Sequence, residues 1–459
     1  MDRLDRFAAS IVASPIPYVT SPIHWTMERS RIVWILLCAI SGMSWQGGMI
    51  VRAEGFRNPP PGAFGLGRSG GRFAHVDDAS AAFQNPANLV DLSRPAFAVA
   101  PGFVHIRVEH SSALGKAETT DPWKVLPHFF VAMPLPESKV AFGLSVTVPF
   151  GLSNEWETDD GLFAPPPAPG AWRYAAPYYS ELQTIHVNPS MALSLSESLS
   201  LGLGVDAMWS KLSLRQYYPW FMIPGFGGAT EGKLGFSGDG IGVGANGAVT
   251  WRIDDRQRIA LTVRSPIQVE YEGQTELENV PAGFPLPARA DSESSIRFPL
   301  ILGAGYGIEL SDKVRLEASF EWLQFSLFRQ LAVDFLNAPP GALAPGATRL
   351  EIAQNWKDTW TAGIGGDWRF APAWTLRCGY QFYESPVPDS TFSPTIPDAN
   401  QHAFTVGIQY RRGRHAVEAA YGGILYDDRD IRDNIVNPAY NGHYEMCVHL
   451  MALSYQMEF

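Results

Sequence analysis

From residue 94 onward, apolar and polar residues alternate with a period of two, the repeat of a strand with one buried face. Leu199, Leu201, Leu203, Val205, Ala207 and Trp209 alternate with Ser200, Gly202, Gly204, Asp206, Met208 and Ser210. Ile241, Val243, Ala245, Val249 and Trp251 repeat the pattern, as do Trp360, Ala362, Ile364, Trp368 and Phe370. One face of each segment is apolar and ends in aromatics, while the other is small or polar. A soluble sandwich alternates in the same way, so the repeat alone predicts strands and leaves their solvent open.

The connections narrow the choice. Tight polar turns are expected at 136–139, 197–199, 254–257, 311–313, 371–373 and 411–414. Between them lie long connections near 111–121, 157–177, 217–231, 273–293, 336–350, 384–399 and 427–441. Strict alternation of short turns with long outside loops is the signature of an outer-membrane barrel. The segments predict an all-β, transmembrane antiparallel barrel of about 14 strands, an even number as such barrels require. Many segments exceed the roughly 9–11 residues needed to cross a bilayer, so they are expected to extend above it. In the last one, Met451, Leu453, Tyr455, Met457 and Phe459 alternate with Ala452, Ser454, Gln456 and Glu458. An apolar face closing on a terminal aromatic is what the barrel assembly machinery handles, with Phe459 as its expected contact. The outward faces are expected to meet outer-membrane lipid and lipopolysaccharide.

Composition agrees with a β protein in a membrane. Only 18% of residues are charged, 46% are hydrophobic and 12% aromatic, with 43 Gly and 36 Pro. That charge content lies below the roughly 25% of a soluble domain. Mean hydropathy is −0.06, and no apolar run approaches the 18 residues of a membrane helix. The net charge of −11 argues against nucleic acid as a partner. Three cysteines do not make a disulfide scaffold. Cys378 and Cys447 fall on outward positions of non-neighbouring strands, as free thiols.

Residues 1–53 read as a leader. Arg29 and Arg31 precede the apolar run 32–40, and Val51-Arg52-Ala53 supplies a small-residue cleavage site after Ala53. Residues 1–26, upstream of Met27, are open to being an over-called start. Cys38 follows Leu37 where lipid attachment needs a small residue, so lipidation is not expected.

Residues 54–93 do not read as a strand. They contain Glu54-Gly55-Phe56, the prolines 59–61, Gly65-Leu66-Gly67-Arg68-Ser69-Gly70-Gly71, Asp77-Asp78-Ala79 and Asn85-Pro86-Ala87. Here the chain resembles the outer-membrane long-chain fatty acid transporter (FadL) family, which includes toluene and other aromatic hydrocarbon transporters. The resemblance continues through Val146–Leu152, Asn355-Trp356-Lys357-Asp358-Thr359-Trp360, Ser385-Pro386-Val387-Pro388, Ile396-Pro397-Asp398 and the last strand. Each motif is weak alone; their order and spacing across the mature chain carry the likeness.

The resemblance implies a barrel plugged by an N-terminal hatch, with 54–93 as the hatch and 94–459 as the barrel. It implies passive uptake of long-chain fatty acids or related hydrocarbons, and lateral release through a gap where the third strand bends. Gly65, Gly67 and the Asn85-Pro86-Ala87 triplet would belong to the hatch and gate, and Pro149, Phe150 and Gly151 to the kink. The residues themselves agree in part. Pro149 cannot donate to a ladder, so it marks either a kink or an ordinary strand end. Asn85-Pro86-Ala87 reads equally as a plain turn.

Two outside loops are unusually apolar. One carries Trp220, Phe221, Met222, Ile223 and Phe226, the next Phe284 and Leu286. Exposed apolar surface so concentrated marks a binding surface, or else two loops packed into a rigid cap. In the resembled family these loops form the outer groove that collects substrate. Arg264, Arg315 and Arg377 fall on inward positions where one could meet a carboxylate head group. The sequence does not choose among them, and an all-ionic lumen network is the competing reading.

Other functions find no support in the motifs. There is no Gly-x-Ser-x-Gly elbow and no His-x-x-x-His or Cys-x-x-Cys pair, so neither an enzyme, a metal site nor a cofactor is expected. The Gly-x-Gly-x-x-Gly matches at 65–70 and 242–247 open no βαβ unit. A general porin and a receptor or adhesin remain as rivals; a porin would lack both the plug and the greasy loops.

Overall fold

The computed structural model describes residues 54–120, 123–284, 287–336 and 349–459. Alternation along the chain closes into an antiparallel barrel. Its strands are β1 (Ala96–Val99 and Gly102–Ser112), β2 (Lys124–Leu126 and Phe129–Pro134), β3 (Val140–Thr147 and Leu152–Glu155) and β4 (Tyr179–Ser194). Next come β5 (Leu199–Tyr218), β6 (Gly232–Arg252), β7 (Gln257–Arg264 and Ile267–Leu277) and β8 (Arg289–Phe298 and Ile301–Ser311). The circuit continues with β9 (Val314–Leu323 and Gln330–Phe335), β10 (Arg349–Ala353 and Thr359–Ala371) and β11 (Trp374–Tyr383). It ends with β12 (Gln401–Arg412), β13 (His415–Tyr426) and β14 (Gly442–Glu458). Ala96 pairs with Glu458 and Gly102 with Ala452 in one unbroken register, so β1 closes on β14 and no edge is left.

Several strands are interrupted at proline, which cannot donate to the ladder. Pro101 breaks β1, Pro127 breaks β2, Pro266 breaks β7 and Pro299 breaks β8. The wall is inverted relative to a soluble protein. Ile241 and Val243 keep 70% and 71% of their surface exposed, while Asp206, Thr250 and Glu317 are buried. Apolar exposure on that scale over a whole circumference suits lipid rather than water. Cys378 and Cys447 are exposed and unpaired.

Two expectations about the connections need correction. The region 273–293 is nearly half strand, and the connection from β7 to β8 is confined to 278–288. Above the membrane the faces are exchanged: Glu270, Glu272 and Glu276 point outward while Val269 and Tyr271 are buried inside, where Thr275 also bonds Ser292 at 2.8 Å. The expected contrast between faces is therefore reversed there, polar outside and largely apolar within. Second, the connections 157–177 and 384–399 turn into the lumen, where Leu162, Phe163, Trp172, Phe392 and Ile396 are buried.

Residues 54–90 lie inside the barrel, and 91–95 lead out to β1 at its periplasmic mouth. They form a short helix α1 (Gly62–Gly67), a second, α2 (Ala81–Gln84), and a 3-10 turn at Pro86–Asp91. The hatch backbone approaches the wall where the wall has no side chains. A Cβ on Gly70 would overlap the Ile364 nitrogen and the Tyr380 carbonyl, and Gly67 sits against the α-carbon of Gly407. The glycine-rich run of the hatch thus meets inward glycines of β10–β12.

Candidate functional site

The lumen divides into an apolar upper half and an ionic lower half, and β3 meets the hatch where they join. Above, a continuous aromatic core runs from the inward loops to the start of the hatch. Trp156 packs on Trp172 with centroids 5.3 Å apart, and Phe392 on Tyr444 at 4.4 Å. At its lower end Phe56 is caged by Phe298, Phe325, Phe328 and Trp356, at 5.4, 5.5, 5.4 and 5.1 Å. Phe150 of the kink closes the cage at 6.0 Å from Phe56. Among these only Phe150 carried a site expectation. A signal for two others existed, since Phe325-Ser326-Leu327-Phe328 interrupts the alternation of β9 as a 3-10 turn.

Pro149, Phe150 and Gly151 do interrupt β3. Below them Thr147 pairs with His186 of β4, above them Leu152 pairs with Leu182, and the register slips by one residue between. On the other side β2 leaves β3 after Phe129↔Val146, and Lys124–Leu126 pairs with β1 instead. The upper arm of β3 is met by residues 118–120, through a Thr119–Trp156 bridge. Among the described residues no ladder joins β2 to β3 over 147–153. The backbone groups freed there bond to the hatch: Gly151 N–H donates to the Phe56 carbonyl at 2.7 Å, and Asn58 N–H donates to the Pro149 carbonyl at 2.9 Å. Asn58 Nδ2 donates to the Val148 carbonyl at 2.8 Å.

Below the kink, charges pair across the lumen. The Glu317 carboxylate accepts the backbone N–H groups of Phe73, Ala74 and His75 at 2.5, 2.8 and 3.1 Å, so three consecutive hatch amides converge on one anion. Arg68 adds its guanidinium at 3.3 Å. Glu321 holds Arg57 at 2.6 Å and also pairs Arg72. Asp77, half-exposed at the periplasmic end, is held well below the usual carboxylate range by Arg315, Arg377 and Arg68. Burial, with Arg315, Arg68 and Arg258 nearby, pushes His75 down to about 2, so it is neutral.

This anatomy, a closed barrel with a lumen hatch and an interrupted third strand, coincides with a match over residues 46–459 to the family of outer membrane protein transport proteins (OMPP1/FadL/TodX). The chain belongs to that family. FadL-type proteins are bacterial outer-membrane transport channels and not enzymes. The chain is 24% identical, over 84% of its length and 88% of the relative's, to the long-chain fatty acid transport protein of Escherichia coli O6:H1. In structure it resembles a Pseudomonas aeruginosa FadL homologue, with a TM-score of 0.75, 20% identity, and 88% and 100% of the two chains covered. The Ralstonia pickettii toluene transporter TbuX gives a TM-score of 0.66 at 16% identity, covering 88% and 99%.

Within this FadL-type frame the expected site residues fall in different places. Asn85 caps the 3-10 turn through Ala87 N–H at 3.0 Å, and its Nδ2 donates to Phe73 O and Thr250 Oγ1 at 2.7 and 2.9 Å. Thr250 stands two residues from the end of β6, so the Asn85-Pro86-Ala87 turn lies on the periplasmic side of the kink. Pro86 and Ala87 press on Gly202 of β5. Gly65 faces Gln84 and Pro60 within the hatch.

The two greasy loops do pack together. Trp220 is 1% exposed, meets Phe284 edge to face at 4.9 Å, and donates its indole N–H to the Glu278 carbonyl at 2.8 Å. Phe226 meets Phe284 at 5.6 Å and Ile223 joins the same cluster. Phe221 turns the other way, onto Tyr174 of the inward connection at 5.9 Å. Met222 stands exposed, and Leu286 lies outside the described residues.

The three candidate arginines separate by height. Arg315 pairs Asp77 and Asp367 at 2.8 and 2.6 Å, and Arg377 pairs Asp367 and Glu418 at 3.2 and 2.8 Å. Both line a polar cavity of about 740 Å³ at the periplasmic mouth. Arg264 instead pairs Asp206 at 2.6 Å and lies over the Phe83 ring, on the wall of a cavity of about 70 Å³ beneath the kink. Ligand sites generally need roughly 300–1,000 Å³, so no hydrocarbon fits beneath the kink until something moves.

Proposed function

We propose that this channel takes up hydrophobic small molecules, long-chain fatty acids foremost, and releases them sideways at the kink of β3. Substrate is collected at the 217–231 and 278–288 loops, where Met222 is exposed on a packed base of Trp220, Phe226 and Phe284. Phe221 on Tyr174 links that surface to the aromatic core within. Each methylene that leaves water gains roughly 0.8 kcal/mol, so an apolar path needs no charge to draw an alkyl chain inward. The observation that carries the reading is the bonding of the kink. Its backbone is hydrogen-bonded to hatch residues 56–58 rather than to β2, so hatch movement and opening of the β2–β3 seam are one event. The periplasmic half is closed by ion pairs hostile to hydrocarbon, which favours a sideways exit over an axial one. Arg264, beside the cavity under the kink, is the contact for a carboxylate head group.

Uptake by a strain lacking its own channel and carrying this one tests the reading. Labelled oleate should enter at least tenfold faster than in the empty strain, and liposomes holding the purified protein should show no porin-scale conductance. Large steady conductance with no oleate uptake would make it a general porin instead.

A further inference from the structure

The connection 157–177 is long for one whose only regular structure is the 3-10 turn Gly161–Phe163, and segments of that kind are usually lids or binding loops. Its neck is closed by the Trp156 N–H, which donates to the Tyr178 carbonyl at 2.8 Å. Within the segment, Trp172 N–H donates to the Leu162 carbonyl at 2.8 Å and Gly170 N–H to the Ala164 carbonyl at 3.0 Å. Arg173 Nη1 ties both limbs together, donating to the Thr158 and Phe163 carbonyls at 3.2 and 2.7 Å. The segment is thus self-contained in the manner of an Ω-loop. Its crown, residues 165–169, is exposed, while Leu162, Phe163 and Trp172 on its underside are fully buried in the aromatic core.

The rest of the Arg173 guanidinium points away from the segment. Nε and Nη2 fork onto the Glu231 carboxylate at 2.9 and 2.6 Å, and the Tyr174 hydroxyl donates to the same carboxylate at 2.8 Å. Glu231 ends the apolar 217–231 loop, and its side chain is a quarter exposed. A two-pronged charge pair therefore latches the segment to that loop at a place water can reach, where such pairs are more easily broken than in a dry interior. On the far side the ties are single neutral bonds, from Trp172 Nε1 to the Ala439 carbonyl at 2.7 Å and from the Tyr440 hydroxyl to the Ala175 carbonyl. Beneath the segment His110 is buried between Trp172 and Tyr444, with ring centroids 4.6 and 4.3 Å away. Among the described residues neither of its ring nitrogens has a hydrogen-bond partner. A polar group left that way disfavours the closed position, and water reaches it once the segment lifts.

We propose that residues 157–177 are an inlet lid over the aromatic core, hinged at Trp156 and Tyr178 and latched to the collecting loop by Arg173, Tyr174 and Glu231. In the closed position Leu162, Phe163 and Trp172 fill the way from the two apolar loops to the cage around Phe56. Substrate that spreads between Phe221 and Tyr174 acts beside the latch, so collection and opening are coupled. Arg173 is a positioning residue. It keeps its two bonds within the segment when Glu231 lets go, so the lid lifts as a unit. This inference rests on substrate arriving at the apolar loops and is independent of sideways release at β3.

The test follows a thiol on the underside of the lid, in protein carrying Cys378→Ser and Cys447→Ser. Ala176→Cys, at a fully buried position, should react with a charged, membrane-impermeant maleimide at least tenfold more slowly in whole cells than after heat unfolding. Glu231→Ala should raise that rate about tenfold, the order expected for loss of a charge-assisted hydrogen bond. Glu231→Gln, which keeps a neutral acceptor, should raise it less, and carries the test should Glu231→Ala not show the heat-shifted gel mobility of a folded barrel. A thiol at Ala403→Cys, buried in the separate cluster beside the hatch, should stay slow throughout. Joining Tyr174→Cys to Phe221→Cys with a reducible thiol cross-linker should cut oleate uptake at least tenfold, and reductant should restore it. A rate at Ala176→Cys that neither Glu231 variant changes, or an equal rise at Ala403→Cys, would overturn the lid, as would full uptake through the cross-linked channel. A parent protein that takes up no oleate would overturn the transport reading instead, and the thiol rates would still decide for or against the lid.

Discussion

Gly151, in the middle of an interrupted barrel strand, gives its backbone N–H to the carbonyl of Phe56 at the head of the hatch, 2.7 Å away. In a regular barrel that amide would belong to a neighbouring strand. Here the wall is completed by the plug, and the two share both hydrogen bonds and a cage of aromatic rings. Displacing residues 56–58 therefore leaves the amide of Gly151 and the carbonyl of Pro149 without their partners unless water replaces the hatch.

Straightening β3 should separate folding from transport. In Pro149→Val with Gly151→Val, a regular strand can pair with β2 and no longer needs the hatch. Oleate uptake is expected to fall at least tenfold while heat-shifted gel mobility still reports a folded barrel. Unchanged uptake by a folded variant would remove the sideways route.

Glu317 gathers three hatch amides and Arg68 on one carboxylate. Glu317→Ala strands the three amides in a buried site and leaves Arg68 only Asp367 and the His75 carbonyl, and breaking a buried charge pair alone costs about 3–5 kcal/mol. The hatch should become cleavable by added protease and liposome conductance should rise. Glu317→Gln, which keeps one acceptor oxygen, should lie between. A hatch as protected in Glu317→Ala as in the parent would show that the glycine contacts alone hold it.

The barrel was legible because a two-residue period is local and survives in every crossing strand. The long-range pairings were not. Glu317 and Phe73 are 244 residues apart, and an inward Glu on β9 reads the same whether it meets water, an arginine or a nest of amides. Pro149 announced the kink, but nothing around Phe56 announced its partner. The inward connection 384–399 was missed because its Ser, Thr and Pro residues resemble a solvent loop, although Ser385, Thr391 and Asp398 are buried with hydrogen-bonded side chains. Strand ends above the membrane were misjudged because the period persists with its faces exchanged: Glu270 and Glu272 point outward and Val269 and Tyr271 inward, the reverse of the lipid-facing pattern below.

The hatch should loosen in acid through His75. Its folded pKa, pushed down to about 2, lies below that of an exposed imidazole, so the released hatch binds a proton that the docked hatch does not. The docked state is therefore fully favoured above about pH 6.5 and loses stability as pH falls below it. Protease protection of the hatch should decline between pH 7.5 and 5. In His75→Gln, which cannot take the proton, that decline should be shallower. Identical slopes would place the acid sensitivity elsewhere.

Substrate class can be read at Arg264. Replacing it alone would strand Asp206, which is buried and also accepts from Asn188 and Asn246 at 2.8 and 2.7 Å. Arg264→Met combined with Asp206→Asn removes both charges and keeps an amide for the neighbouring side chains. If Arg264 meets a carboxylate on its way to the seam, oleate uptake should fall about tenfold, equivalent to about 1.4 kcal/mol, while toluene uptake stays level. The same comparison with Arg315→Met plus Asp77→Asn should move neither, because that pair lines the periplasmic cavity and not the one under the kink. Equal loss of oleate and toluene in the Arg264 variant would instead mean that the arginine only shapes the wall, and that the channel takes hydrocarbons by apolar burial alone.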